Sequence, residues 1–144
     1  RLLGDMRSVN YIIDITPDFE EVQYRVRPID FDQQSYEGNL HVYLSQFFAD
    51  NQPVVQLVTG KLNEATIRQY QREEHTIIAR RCQIAARRLD QLLRCMSANE
   101  LSLPEKLNEL KGSLNEYHKT NSFTTCNSMG DVVRTNIGVI LSGL

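Results

Sequence analysis

Acidic and amide side chains near the start of the chain have a spacing that suits magnesium and phosphate chemistry. The segment RLLGDMRSVN carries Asp5, Arg7 and Asn10. A second segment, IDFD, adds Asp30 and Asp32 further along the chain. Magnesium prefers one or two carboxylates with water and phosphate oxygens, and a guanidinium can hold a phosphate. We therefore take these five residues as candidates for a site that handles phosphate and magnesium.

Two short predicted strands must bring these residues together. The segments YIIDI (residues 11–15) and VQYRVRPI (residues 22–29) are rich in β-branched and aromatic residues, and TPDFEE between them has turn chemistry. In the second segment, apolar Val22, Tyr24 and Val26 alternate with polar residues, which is typical of a half-exposed strand. The predicted hairpin makes Asn10 and Asp30 neighbours, because they flank its open end.

The chain after Gly38 is predicted to be helical. Apolar spacing predicts a helix in NLHVYLSQFFADN, and Asn51 is expected to cap a short helix in VVQLVTG. A long helix is predicted from about residue 63 to residue 96. Its second half carries a heptad seam suited to packing against other helices, made of Ile78, Cys82, Ala85, Leu89, Leu92 and Met96.

Two more helices complete the prediction. Ser102-Leu-Pro-Glu105 is a capping box that predicts a helix to about Tyr117, followed by a polar loop, HKTNSFTTCN. Asn127 or Ser128 is expected to cap a last helix, whose buried side contains Met129, Val132, Val133, Ile137, Ile140 and Leu141. The predicted fold class is α+β, mostly α: a β-hairpin (residues 1–38) followed by a helical bundle (residues 39–144) in one domain.

Composition limits the classes of partner. The chain has 144 residues and a net charge of −2, which gives no general attraction to nucleic acid or to an anionic membrane. Its three cysteines lack CxxC spacing, so a reducing, cytoplasmic compartment is expected. Neither a membrane-spanning segment nor a signal peptide is predicted. The chain starts at Arg1, without Met and almost directly on the first motif, so we expect a longer protein with sequence upstream.

The two motifs, in this order and at the edges of a predicted hairpin, resemble the catalytic and metal loops of the protein-kinase-like superfamily. Protein kinases carry D-x-x-x-x-N in the catalytic loop and D-F-G in the metal loop. Gly4-Asp5 through Asn10 and Ile29-Asp30-Phe31-Asp32 look closer to the aminoglycoside phosphotransferase and choline kinase branch. The resemblance covers about residues 3 to 38 and implies the C-terminal lobe of such an enzyme, without its N-terminal lobe.

This resemblance implies a role for each candidate residue. Asp5 would orient or deprotonate an acceptor hydroxyl, and Asn10 and Asp30 would hold Mg²⁺ against the phosphates of ATP. Arg7 would contact the transferred phosphate, and Asp32 would join the metal cluster directly or through water. The sequence departs from the family pattern in several ways. Asp32 stands where protein kinases have Gly, and the predicted turn between the strands is long and acidic. Leu3 replaces the His expected before Gly4, and neither a glycine-rich loop nor a strand with the phosphate-binding Lys is present. A nucleotide, a hydroxyl-bearing substrate and an upstream lobe are the implied partners, and the chain alone is not expected to be a competent kinase.

Other interpretations of the same residues stay open at this stage. Asp and Asn are common at strand ends because they bond neighbouring backbone groups, so turn chemistry alone can account for Asp5, Asn10 and Asp30. The absent lobe and the heptad seam also suit a non-catalytic, pseudokinase-like scaffold module. Nucleic-acid binding through the arginines of the long helix is a weaker alternative, because nearby acids dilute their charge.

Overall fold

The computed structural model describes residues 5–19, 21–31 and 37–143. In these residues, a 3₁₀ helix (Ser8–Asn10) leads into strands β1 (Tyr11–Asp18) and β2 (Glu21–Pro28), and three further 3₁₀ helices follow at Leu40–Tyr43, Ser45–Phe47 and Ala49–Asn51. The α-helices are α1 (Gln52–Lys61), α2 (Glu64–Ile84), α3 (Ala86–Ala98), α4 (Pro104–His118) and α5 (Met129–Ser142). The structure is mostly helical, with a two-stranded hairpin followed by helices, and this confirms the predicted α+β, mostly α, fold class.

The hairpin is longer and its turn tighter than the sequence predicts. β1 and β2 pair antiparallel from Tyr11 opposite Pro28 to Asp18 opposite Glu21, so much of TPDFEE belongs to the strands. Pro17 is tolerated because both strands of a two-stranded sheet are edges. At the tip, Phe19 has a φ of 45°, the left-handed conformation that tight hairpin turns require.

The register sorts the side chains of the hairpin into an apolar face and a polar face, as the alternation predicts. Ile13 lies opposite Val26 and Ile15 opposite Tyr24, while Asp14 lies opposite Arg25 on the polar face. The apolar face is not covered by the described residues, because Ile15 is 64% exposed and Tyr24 is 70% exposed. A two-stranded hairpin is marginally stable by itself, so this exposed face is a candidate contact surface.

Residues 40–51 do not form the single α-helix that their apolar spacing predicts. The backbone leaves helical geometry at Leu44 and at Phe48, which divides the segment into short 3₁₀ turns. Tertiary contacts outweigh the helical pattern, since Leu40 and Tyr43 enter the core and the Tyr43 hydroxyl accepts from the backbone nitrogen of Glu37 (2.9 Å). Aromatic and β-branched residues also have only modest helix propensity.

The predicted long helix is two helices, α2 and α3. Ala85, between them, has φ −100° and ψ 15° and is not helical. The predicted heptad seam is wrong at Ala85 and Leu92, which are exposed, whereas Leu89 and Met96 are half-buried. Leu92 is 56% exposed, while its neighbour Leu93 is 2% exposed. Leu93 lies one turn after Leu89, on the same side of α3, and is the buried residue of that helix. Cys82, predicted to be buried, is only half-buried.

The core lies between α4, α5, the first 3₁₀ helix after the hairpin and the loop before α5. Its buried apolar residues are Leu40, Tyr43, Leu107, Leu110, Leu114, Phe123, Cys126, Met129 and Val132. Phe123 and Cys126 come from the stretch that the sequence predicts to be a polar loop. Of the two predicted caps of α5, Asn127 and Ser128, the structure has Ser128, whose hydroxyl accepts from the backbone nitrogen of Asp131 (3.1 Å). None of the helices in the described part of the chain has the length and apolarity needed to cross a membrane.

Helix α5 packs closely against α3 at Gly130, and this contact gives a stability prediction. A Cβ atom built on Gly130 would lie 2.8 Å from the carbonyl oxygen of Leu93, whereas one on Gly138 meets nothing within 4 Å. We expect Gly130→Ala to destabilise the fold by about 1–3 kcal/mol through overpacking. Gly138→Ala should stabilise it by about 0.5–1 kcal/mol, because alanine is the better helix former. Urea unfolding of both variants measures the difference, and two changes of the same sign would contradict this packing.

Candidate functional site

The loop between Asp5 and Asn10 is held by its own polar groups. The Asp5 carboxylate accepts from the Arg7 backbone nitrogen (3.2 Å) and forms an ion pair with the Arg7 guanidinium, with Nε 3.3 Å from Oδ2. The side-chain nitrogen of Asn10 donates to the backbone carbonyl of Asp5 (2.9 Å). Since this bond assigns the amide nitrogen to the side facing Asp5, the Asn10 Oδ1 atom points away from that carbonyl and is the oxygen that a cation could use.

The hairpin places Asn10 beside the residue that precedes Asp30. The Asn10 carbonyl accepts from the Ile29 backbone nitrogen at 2.8 Å, one step beyond the pairing of Tyr11 with Pro28. Asp30 follows with a φ of 60°, a left-handed conformation that is unusual for residues other than glycine. Such conformations cluster at functional sites because the surrounding structure must impose them. The structure therefore brings the Asp5–Asn10 loop to the residue next to Asp30.

The same loop is docked on the segment of residues 42–51. Met6 donates its backbone nitrogen to the Val42 carbonyl (3.1 Å) and accepts at its own carbonyl from the Asn51 side chain (2.7 Å). Ser8 donates its hydroxyl to Asp50 (3.3 Å). The Arg7 guanidinium lies 5.6 Å from the centre of the Phe48 ring, within cation–π range. The loop geometry is thus set by residues that are distant in the sequence.

The start of the first strand is partly buried behind this loop. The Tyr11 hydroxyl lies 3.4 Å from the Met6 sulfur. Burial raises the pKa of the Tyr11 phenol above its ordinary value, so Tyr11 stays protonated at neutral pH. Tyr11 therefore supports the loop as a neutral donor.

The predicted metal ligands are only partly described. Among residues 5–19, 21–31 and 37–143, no cluster of three or more His, Cys, Asp or Glu side chains could hold a metal ion. The predicted ligands, Asn10, Asp30 and Asp32, are not such a cluster, because Asn10 is an amide and only Asp30 and Asp32 are carboxylates. Asp32 lies outside the described residues.

A cavity of about 530 Å³ opens beside the segment on which the loop is docked. Its lining residues are Asn39, Leu40, His41, Leu44, Phe47, Glu109, Ser113, Glu116 and Tyr117. The His41 ring stacks on Phe47 with ring centres 3.8 Å apart. The volume lies in the range of small-molecule sites, and the lining mixes aromatic and polar groups as such sites do. The cavity has room for a small hydroxyl-bearing molecule.

The arginines of the predicted long helix are partly paired in the structure. On α3, Asp90 contacts Arg94 (2.8 Å), and it also accepts from Arg134 of α5 (3.2 Å). The hydrogen bond from Arg134 and the charge of Arg94 hold the pKa of the Asp90 carboxyl below its ordinary value. These pairs reduce the free positive charge on the helix face.

Asn51 makes a contact that its position in the sequence does not predict. It occupies the predicted N-cap position of α1, but its side chain makes no capping bond. The side chain instead reaches Met6, 45 positions earlier in the chain. Asn is common at caps, so no local pattern could have distinguished a cap of α1 from a residue that bonds Met6.

Comparison of the chain with protein-family models, with curated proteins and with solved structures found no match in any of the three.

Proposed function

We propose that the Asp5–Asn10 loop and the segment of Asp30 and Asp32, at the open end of the hairpin, form the metal- and acceptor-binding half of an ATP- and Mg²⁺-dependent phosphotransferase site. The site would be of the kind found in the C-terminal lobe of protein-kinase-like enzymes. The observation that carries the proposal is the double attachment of Asn10. Its side-chain nitrogen bonds the Asp5 carbonyl, and its own carbonyl bonds Ile29, directly before the left-handed Asp30. These bonds join the two motifs at one end of the hairpin.

Each candidate residue has a role in the proposed transfer. Asn10 and Asp30 would hold Mg²⁺, with Asp32 as a further oxygen ligand, and the ion would neutralise charge on the phosphates of ATP. The acceptor hydroxyl loses its proton to Asp5, and its oxygen forms a bond to the γ-phosphorus. The bond between that phosphorus and the bridging oxygen of ADP breaks, so the products are ADP and a phosphorylated acceptor. The nucleotide base would be bound by an N-terminal lobe, as the resemblance to protein-kinase-like enzymes implies.

Arg7 can exchange the Asp5 carboxylate for a phosphate. Its side chain is 58% exposed, and an ion pair of this kind contributes only about 0–1 kcal/mol. A phosphate group carries more charge than the carboxylate and accepts two parallel bonds from a guanidinium. The exchange of partners is therefore energetically easy, and it frees the Asp5 carboxylate for the acceptor hydroxyl.

A non-catalytic scaffold is the second candidate function. It is favoured by the same ion pair, which occupies the Asp5 carboxylate, and by the exposed apolar face of the hairpin. In this alternative the hairpin binds another protein through Ile13, Ile15 and Tyr24. The two functions differ in their need for magnesium and for a free Asp5 carboxylate.

Phosphoryl transfer by the full-length protein tests this proposal. We expect ADP formation in the presence of hydroxyl-bearing acceptors to require Mg²⁺ and to stop when EDTA is added. Asp5→Asn should lower kcat by about 10²–10⁴, the range of general-base contributions. Asp14→Asn is the matched control, because Asp14 is also paired with an arginine, Arg27 (2.6 Å), but lies within the hairpin and outside the site. Turnover that is unaffected by EDTA, or equal losses in both variants, would contradict the proposal.

A further inference from the structure

Asn51 is a buried amide that connects two separate stretches of backbone. It is 7% exposed. Its side-chain nitrogen donates to the Met6 carbonyl at 2.7 Å and to the Ser45 carbonyl at 2.8 Å. Both distances are short for N–H···O hydrogen bonds. Burial of an amide is unfavourable unless it is hydrogen-bonded, so these bonds are what make the buried position tolerable.

Helix capping does not account for the Asn51 side chain. In the same chain, Asn63 and Ser128 accept from backbone nitrogens in the first turns of α2 and α5. Asn51 stands at the corresponding position of α1 with a right-handed helical backbone, and its side chain makes no such bond. The amide is used as a donor to carbonyls, which is the opposite of the capping role.

One of the two carbonyls that accept from Asn51 belongs to Met6, the residue between Asp5 and Arg7. Met6 is fixed on both sides, because its nitrogen donates to Val42 (3.1 Å) while its carbonyl accepts from Asn51. Peptide groups are rigid planes. Holding both polar groups of Met6 therefore fixes the directions in which the chain continues to Asp5 and to Arg7.

We propose that Asn51 is a positioning residue for the Asp5 loop, an inference that rests on the proposed phosphotransferase function. Asn51 does not touch the reacting atoms and acts through the backbone of Met6. A misplacement of about 1 Å in a catalytic group can cost about 100-fold in rate. Removal of the amide leaves the Met6 carbonyl without its bond to Asn51, while the Met6 nitrogen stays bonded to Val42 and the Met6 sulfur stays beside Tyr11. The peptide between Met6 and Arg7 is then free to rotate, which changes the direction of the Asp5 loop.

The test compares Asn51→Ala with Gln52→Ala in the full-length protein. Gln52 is the matched control, because its side-chain amide also donates to a backbone carbonyl, that of Gln46 (2.7 Å), but does not reach the Asp5 loop. With Mg²⁺-ATP and a hydroxyl-bearing acceptor, we expect Asn51→Ala to lower kcat by about 100-fold. The KM for ATP should stay within about threefold, and Gln52→Ala should resemble the unaltered protein.

Amide hydrogen exchange separates positioning from a general loss of stability. Asn51→Ala should raise exchange in the peptide of residues 5–10 and leave α4 and α5 unchanged. If Asn51→Ala does not melt cooperatively, Asn51→Ser, which keeps one donor, replaces it with the same expected pattern. A kcat within about threefold of the control, or faster exchange throughout the protein, would overturn the positioning role. Absence of Mg²⁺-dependent turnover in the unaltered protein would instead overturn the proposed function.

Discussion

Asp30→Asn is expected to abolish phosphoryl transfer by the full-length protein while leaving its fold intact. The amide has nearly the same shape as the carboxylate but no charge, so the proposed Mg²⁺ ion would lose an anionic ligand. A loss of at least about 100-fold in kcat is expected, as for removal of other groups that stabilise charge in a transition state. Asn is also suited to the left-handed backbone at φ 60°, so the substitution adds no strain.

Asp18→Asn provides the control for this experiment. Asp18 is an exposed carboxylate of the same hairpin, near the opposite end from Asp30, and it accepts from Gln23 (2.8 Å). We expect its substitution to leave turnover unchanged. Both variants should melt within about 2 °C of the unaltered protein, since exposed substitutions cost little stability. Unchanged turnover in Asp30→Asn would contradict the assignment of Asp30 to the metal.

Phe123→Ala should produce the largest loss of stability among single truncations of aromatic side chains in the described residues. Phe123 is 0% exposed, it belongs to the core cluster, and its backbone nitrogen donates to Asn115 (3.0 Å). Truncation of a buried Phe costs about 3–5 kcal/mol through lost burial and a residual cavity. A domain of this size has only about 5–15 kcal/mol of stability, so the variant is close to unfolding.

Phe19→Ala is the matched control for Phe123→Ala. Phe19 is fully exposed at the hairpin tip, so the same truncation removes almost no buried surface. Urea unfolding should give a change below about 0.5 kcal/mol for Phe19→Ala. Equal losses in the two variants would show that Phe123 is not part of the core.

Local patterns were sufficient to predict the hairpin and the cap of α5. Strand alternation and turn residues act over a few positions, and the predicted faces of the hairpin agree with the register of Ile13 opposite Val26. Ser128 is likewise a cap whose partner, Asp131, lies in the next turn. Interactions of this range can be read from a single sequence.

Tertiary interactions account for the features that the sequence did not predict. Residues 40–51 have helical spacing, but the burial of Leu40 and Tyr43 against α4 is associated with 3₁₀ turns instead. The break at Ala85 lies in a stretch of good helix formers, so no local signal predicts it. Phe123 lies among polar residues, so its complete burial has no local signature.

The sequence predicted which residues belong to the candidate site, but not the contacts that hold the Asp5–Asn10 loop in place. The two motifs and the hairpin between them predicted that Asn10 and Asp30 flank one end of the hairpin. The attachment of Met6 to Val42 and Asn51 joins residues far apart in the sequence, which no local pattern could indicate. The roles of Asp5, Arg7, Asn10, Asp30 and Asp32 stay predictions.

Calorimetric titration of ATP into the full-length protein tests the central claim most directly. The account predicts a binding heat that depends on Mg²⁺, disappears with EDTA and is strongly reduced in Asp30→Asn but not in Asp18→Asn. The absence of any Mg²⁺-dependent heat in the unaltered protein would contradict the phosphotransferase proposal and favour the scaffold function.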